Sequence, residues 1–364
     1  MILERYIQRE ILAKLGWIMT FLLAILASNR FVDYLADAAA GDLPANLILQ
    51  MLLMKMVSML PRLLPVALLL GVVLALARMT QDRELTVVAS SGIPESSTIK
   101  TILKLSMLYA VFVFLITFFL APWAEAEVRA LTRRAEVESD ISGISAGQFR
   151  EFSKGDMVVY VEQLNRLSET MSDVFLQIRQ GEQLALIRSA GAKLHMQPES
   201  GSRYVIFENG NRYIGEPGQV DYQITRYRNY AVLLEQGQRE TDPGWMEAIP
   251  SLRLLQSDQT LYQAELQWRI SFVIAAILLP LLAFAVNRYA SRDSRYVSVF
   301  VCILIYLIYS NLLGVSRTLL KRGDVSAYVG LWWVHLLLLV TIVVLVKLPA
   351  IRSWFRRKPA ADVV

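Results

Sequence analysis

Residues 47–77 read LILQMLLMKMVSMLPRLLPVALLLGVVLALA, 31 residues without Asp or Glu. A bilayer-spanning helix needs about 20 mostly apolar residues. At about 1.5 Å per residue this stretch outruns a hydrocarbon core of about 30 Å. Its start is expected to stand outside the membrane, and Pro61 and Pro65 are expected to kink it. Residues 15–32, 103–121, 268–287, 297–316 and 329–348 meet the same test, and none of them contains an acidic residue. Six crossings follow.

Composition agrees. The chain has 364 residues, 55% hydrophobic and 19% charged. Soluble globular chains carry about 25% charged residues. An ordinary soluble enzyme and a disordered chain are both excluded. A single cysteine, Cys302, excludes an internal disulfide framework and a thiolate metal cluster. Two histidines, His195 and His335, exclude a His-rich metal site. His195 reads as an ordinary strand residue, and His335 as a hydrogen-bonded packing residue in the sixth span.

Basic residues precede the first span, and Ala27 and Ser28 follow its centre, as in a cleaved leader. The apolar period continues upstream through Ile2, Leu3, Tyr6, Ile7 and Ile11. Residues 2–14 therefore read as an amphipathic helix lying on the membrane. With both termini inside, the inner segments hold 15 Lys and Arg, among them Arg5, Arg78, Lys104, Arg292, Arg357 and Lys358. The short outer segments hold four, Arg30, Arg317, Lys321 and Arg322. That bias sets the orientation. The basic excess serves topology and contact with anionic membrane lipids, not nucleic acid.

The sequence divides at residues 122–265, an insert with 15 Lys and Arg against 21 Asp and Glu. It is long enough to be a domain between an N-terminal membrane half (1–121) and a C-terminal one (266–364). Residues 123–138 read as a charged helical stalk, and 250–266 as a helix leading into the fourth span. Between them, residues 156–164, 173–179, 184–189, 192–196, 203–208, 212–215 and 219–227 read as strands. Asn209-Gly210 is a hairpin signal. Some seven short strands predict an antiparallel sandwich or jelly roll on the outer side, in an extracytoplasmic compartment such as a bacterial periplasm.

Catalytic signatures are missing. The sequence has no G-x-x-x-x-G-K-[ST], H-E-x-x-H or C-x-x-C. No ATP hydrolysis and no bound cofactor are expected of this chain. Spans without carboxylates also disfavour an ion-coupled carrier.

Two features remain. Residues 77–94, ARMTQDRELTVVASSGIP, lie on the inner side. Thr80 or Asp82 is expected to cap a helix of about ten residues, stopped by Gly92 and Pro94. It mixes charge (Asp82, Arg83, Glu84) with apolar side chains (Leu85, Val87, Val88). It is either a docking helix for a cytoplasmic partner or an interfacial helix lying on lipid. The second feature is membrane cations without matching anions in the spans: Arg30, Lys55, Arg62, Arg317, Lys321 and Arg322. These suit an anionic lipid-like ligand, or they snorkel to the interface.

The opening ILERYIQRE (2–10), the loop GDLPAN (41–46), the stretch ELTVVASSG (84–92) and AELQWRI (264–270) resemble the lipopolysaccharide-export permeases of the LptF/LptG family. The resemblance extends over essentially the whole chain, and the first two motifs are closer to the LptF branch. It implies a non-catalytic subunit of an ABC transporter in a Gram-negative inner membrane. Its partners would be an LptG-like second permease and a dimer of the LptB-like ATPase, which uses ATP and Mg. Lipopolysaccharide would pass from the outer leaflet to jelly-roll proteins of the LptC and LptA kind. Asp82, Arg83, Glu84, Leu85 and Val88 would couple to the ATPase, with Glu84 at the family's contact glutamate. Arg30, Arg62, Arg317 and Lys321 are the candidate substrate contacts. Val159, Val161, Phe175, Leu176, Ile206 and Phe207 are the candidate acyl-chain groove.

Two other classes stay in view. One is a different ABC-associated permease, lipoprotein-releasing or mechanotransmitting, which has four spans and its outer domain after the first. The other is a membrane sensor or scaffold that moves no substrate. A membrane enzyme lacks any catalytic constellation here.

Overall fold

The computed structural model describes residues 2–40, 43–143, 147–152, 157–165, 170–180, 183–196, 203–215, 223–235, 245–289 and 295–356. Gly41, Asp42, Arg292, Arg357, Lys358, residue 156 and residues 219–222 of the sequence reading lie outside them. The described residues form two compact units. One comprises Met1–Asp33, Leu49–Arg129 and Met246–Val364, and the other Tyr34–Ile48 and Ala130–Trp245.

The first unit is helical. Its elements are α1 (Ile2–Ala40), α2 (Ile48–Gln81), α3 (Glu84–Ser90), α4 (Glu95–Leu115), α5 (Ala121–Gly143), α6 (Ser251–Leu255), α7 (Thr260–Asn287), α8 (Arg295–Arg322) and α9 (Trp332–Arg356). The ends of α1 and α5 belong to the second unit. Five helical stretches are long and apolar enough to cross a membrane, and α9 adds a shorter apolar run, Trp332–Lys347. α2 stays helical through Pro61 and Pro65. A π-helical turn, Ile116–Leu120, links α4 to α5. α2 and α7 are central: 61% of the most apolar stretch of each is buried, against 11% in α1 and 22% in α8.

One expectation is corrected at the N-terminus. Residues 2–14 are not a separate surface helix, because α1 runs unbroken from Ile2 to Ala40. Ile7, Ile11 and Leu15 are buried in the helical core. Gly71 on α2 makes this possible: a Cβ there would lie 3.4 Å from the Ile11 carbonyl and from Leu15. A small residue at a helix crossing lets the backbones approach. Pro250 caps the short α6, and Gln259 begins α7, so the expected single helix over 250–266 is two.

Buried polar groups tie the last three helices together. The Tyr309 hydroxyl lies 2.9 Å from His335 Nδ1, and His335 Nε2 lies 3.0 Å from Ser271 Oγ. Gln267 donates to the Ala327 carbonyl and accepts from Leu331 N–H. His335 thus takes a packing role.

The second unit carries one antiparallel sheet in the order β1-β2-β3-β4-β5-β6. The strands are β1 (Phe149–Phe152), β2 (Met157–Asn165), β3 (Thr170–Gln180), β4 (Gln183–Met196), β5 (Arg203–Gly215) and β6 (Gln223–Glu235). The expected strands 184–189 and 192–196 are one strand, as are 203–208 and 212–215. Asn209-Gly210 is therefore no hairpin: β5 passes through it, with Asn209 at φ 54°.

The reason is a rung that every strand from β2 to β6 skips. Register pairs run Val161↔Val174 then Gln163↔Ser172, and Val174↔Ser189 then Ser172↔Gly191. They continue Ser189↔Gly210 then Gly191↔Glu208, and Gly210↔Tyr227 then Glu208↔Asn229. Glu162, Asp173, Ala190, Asn209 and Arg228 share the omitted rung. Inward residues are then three apart instead of two: Met171 and Val174 on β3, Ser189 and Ala192 on β4. Because the step is in the same row on each strand, pairing resumes in register and one apolar face continues across it. The Ser189 hydroxyl lies 2.7 Å from the Gly191 carbonyl oxygen and 2.6 Å from that of Glu208, beside the step.

Candidate functional site

On the cytoplasm-facing side by the charge reading, α2 ends at Gln81 and α3 begins at Glu84. No side chain caps α3. Its N-cap is Arg83 in the left-handed region, so neither Thr80 nor Asp82 plays the capping part. Thr80 Oγ1 donates to Leu76 O and accepts from Asn287 on α7. The helix has seven residues, not ten.

Glu84 is not free. Arg78 Nε lies 2.8 Å from Glu10, and its Nη1 lies 3.0 Å from Asp82 and 3.1 Å from Glu84. Arg78 Nη2 donates to the Tyr6 hydroxyl at 2.9 Å and reaches Glu84 Oε2 at 3.5 Å. The Tyr6 hydroxyl donates in turn to Glu84, at 2.9 Å from Oε2. All five N–H groups of one guanidinium are thereby engaged. Three carboxylates share it, with Lys14 3.7 Å from Glu10.

Of the five coupling candidates, Asp82 and Glu84 meet at Arg78, while Arg83 is exposed. Leu85 packs on the helical core and Val88 is half-buried. The large outward apolar residue is Val87, 63% exposed. The sequence reading missed Arg78, Tyr6 and Glu10 as partners, since they lie on two other segments.

A second cluster gathers at the other end of α7. Glu265 accepts from Arg269 at 3.1 Å and from Arg317 at 2.5 Å. Arg62 reaches Glu247 at 2.5 Å, and Arg317 is 3.9 Å from the same carboxylate. The Arg269 guanidinium also donates to Ser251 Oγ and to the Met246 and Glu247 carbonyls. Arg317 stacks 4.6 Å over the Trp268 ring. Lys55 pairs with Glu125 at 3.0 Å. The cluster lines a cleft of about 40 Å³, room for a water and far too small for a lipid.

The expectation of unmatched membrane cations is thus corrected. Arg62 and Arg317 come together, with Glu247 and Glu265 as partners. Arg30 lies apart, paired with Asp33 at 3.1 Å. Lys321 is half-buried one turn beyond Arg317. Asp33, Glu125 and Glu265 stand just beyond the apolar windows and Glu247 lies within the insert, which is why a search inside the spans did not find them.

The groove candidates divide between the two faces of the sheet. Val159 and Val161 share a face with Leu176 and Phe207. Phe175 is opposite Tyr160 on the other face, with Phe149 against both. Ile206, opposite Lys193, also turns away from Phe207.

Against known proteins, residues 5–348 match the family model for the lipopolysaccharide export system permease LptF/LptG. The chain belongs to the LptF/LptG family. It is 26% identical to the lipopolysaccharide export system permease protein LptF of Escherichia coli K12, over 99% of this chain and 100% of that one. The LptF of Shigella flexneri matches over the same extent. As an LptF/LptG permease, the chain is a membrane subunit of lipopolysaccharide export. The GDLPAN, ELTVVASSG and AELQWRI stretches all fall inside the matched span. The first cluster lies on the second of them. The second cluster is built on the third, through Glu265, Trp268 and Arg269.

Proposed function

We propose that this permease is one membrane half of an ATP-driven exporter. It extracts lipopolysaccharide from the outer leaflet of the inner membrane and passes it to a jelly-roll bridge. In this reading α9 makes a sixth crossing, both termini are cytoplasmic, and the sheet belongs to a periplasmic jelly roll. The partners are an LptG-like permease, a dimer of the LptB-like ATPase, and jelly-roll proteins of the LptC and LptA kind. ATP and Mg belong to the ATPase. This chain contributes no catalytic group.

The observation that carries the reading is α3. It is a short helix between two spans that turns Val87, Thr86 and Ser90 outward, with acidic groups at its start. A purely lipid-lying helix would turn its apolar side chains to the bilayer and hold its carboxylates away from one another. Here three carboxylates converge beside an outward valine, which suits a protein groove with basic residues. Arg62, Arg317 and Lys321 leave a surplus of positive charge at the other end of α7, suited to a phosphorylated lipid headgroup. The five long apolar helices, with the sheet after the third, disfavour a four-span permease with its domain after the first.

Affinity purification from native membranes, with mass spectrometry of proteins and lipids, tests this. Recovery of a P-loop ATPase, a second six-span permease and lipopolysaccharide is the expected result. Recovery of the chain with bulk phospholipid alone would move the function to a sensor or scaffold. Glu84→Ala should weaken ATPase docking or coupling and leave the spans folded.

A further inference from the structure

α1 is held unevenly. Over residues 2–33, its polar side-chain links to other elements, among the described residues, come from Glu4, Tyr6 and Glu10, on the turns whose Ile7, Ile11 and Leu15 pack in the helical core. Glu4 pairs with Lys104 on α4 at 2.9 Å, in the open. Tyr6 and Glu10 both meet Arg78, and Tyr6 meets Glu84 as well. Farther along, the apolar stretch of α1 is mostly uncovered, with Trp17 and Phe21 exposed. The helix is continuous, with no proline from Ile2 to Ala40. A displacement imposed at its cytoplasmic end, where Ile7, Ile11 and Leu15 pack in the helical core, is therefore carried into a stretch with little packing to resist it.

α3 is held in a complementary way. It has no side-chain cap, and its start is a strained left-handed Arg83. Its fixings are Glu84, on Arg78 and Tyr6, and Leu85, on the helical core. Arg78 itself sits on α2, whose centre is among the most buried parts of the unit. One guanidinium thus joins the firmly packed α2 to the short α3 and to the start of α1, beyond which α1 is loosely packed.

We propose that Arg78, with Tyr6 and Glu10, forms a joint that transmits movement of α3 to α1, Arg78 being the positioning residue. The proposal rests on the exporter reading and names how its cytoplasmic site reaches the membrane. The joint has three carboxylates and one guanidinium, with Lys14 at its edge, so it accepts a further cation. A basic side chain of the docked ATPase that draws on Glu84 loosens its hold on Tyr6 and Arg78. The Tyr6 hydroxyl then keeps only its bond from Arg78, and the start of α1 turns on its apolar contacts at Ile7 and Ile11.

The test uses the whole exporter, with its second permease and ATPase, in vesicles containing lipopolysaccharide. ATP hydrolysis and lipopolysaccharide released to a jelly-roll acceptor are read together. Tyr6→Phe removes one oxygen from α1 and nothing from α3, and Arg78→Gln removes the joint's charge. In both, the ATPase should stay bound while lipopolysaccharide released per ATP falls at least about fivefold, the low end of ordinary coupling between sites. Arg78→Lys should restore part of the yield. In a Cys302→Ala background, a nitroxide at Thr20→Cys should change its spectrum on nucleotide binding, and Arg78→Gln should abolish that change. A normal yield per ATP in both Tyr6→Phe and Arg78→Gln overturns the joint. Loss of the ATPase from Tyr6→Phe also overturns it, since the hydroxyl would then serve docking alone. A starting complex that neither binds nor releases lipopolysaccharide fails the exporter reading before any variant is compared.

Discussion

Glu265 stands between two guanidinium groups, and its side chain is 2% exposed, with Arg269 at 4%. Removing one member of a buried ion pair leaves an uncompensated charge and costs about 3–5 kcal/mol. Glu265→Ala should lower unfolding stability by about that amount, read as a fall in thermal midpoint in detergent. Arg30 and Asp33 are a different case, at 38% and 59% exposed. Arg30→Ala should cost less than about 1 kcal/mol, as exposed pairs do. Equal falls for the two variants would refute this account of the cluster. Glu265 and Arg269 are four apart, a spacing that lets helical neighbours pair, though the sequence reading did not draw the pair. Glu247 was not, because a 3-10 turn, Trp245–Ala248, brings it to Arg62 from 185 positions away. Arg78 was quoted in sequence as part of the inner loop, yet nothing in one sequence says that residues 6, 10, 82 and 84 would meet around it.

At the scale of elements, the stepped rung explains why strand existence was legible and strand length was not. Alternation of period two is the signal for a strand. The inserted residue breaks that period in β4 and β5, so each reads as two short strands. Asn209-Gly210 then looks like a hairpin turn, although its task is to carry β5 past Arg188 and Tyr227. A Cβ on Gly210 would sit 2.2 Å from the Arg188 carbonyl oxygen and 2.4 Å from the Tyr227 hydroxyl. Overpacking of this kind costs about 1–3 kcal/mol. Gly210→Ala should destabilise the sheet by that much, measured by denaturant unfolding of the whole chain with a fluorescence probe. Ser189→Ala, which strips a buried hydroxyl from the same row, should cost about 1 kcal/mol. Tyr227 adds a pH dependence. Burial pushes its hydroxyl up from the ordinary tyrosine value, while Ser189 lowers it by less. The folded state then holds the proton more tightly than the unfolded chain. Its contribution is full below the ordinary tyrosine value and fades as pH rises past it. Tyr227→Phe should flatten that alkaline loss; an unchanged slope would remove Tyr227 from the account.

For the whole molecule, the membrane class was legible because it depends on summed composition, which no local irregularity disturbs. The number of crossings is the finer matter. Among the described residues five helical stretches are long enough to span, and the apolar run of α9 is shorter, Trp332–Lys347. At about 1.5 Å per residue it covers about 24 Å, less than a hydrocarbon core of about 30 Å. Two features would let α9 cross nevertheless. Trp332 and Trp333 at its start are suited to one interface, and Lys347 at the other end can snorkel to the opposite one. Its buried face is also matched to α7 and α8 through His335, Ser271 and Tyr309, which gives it a protein-lined path. Six crossings return the C-terminal tail to the side of α3, and five leave it opposite. With Cys302→Ala as background, single cysteines at Val87, Asp258 and Ala360 decide between them. A membrane-impermeant maleimide should label Asp258→Cys in cells with the outer membrane opened. It should label Val87→Cys and Ala360→Cys only in inverted vesicles. Labelling of Ala360→Cys together with Asp258→Cys would mean that α9 does not cross.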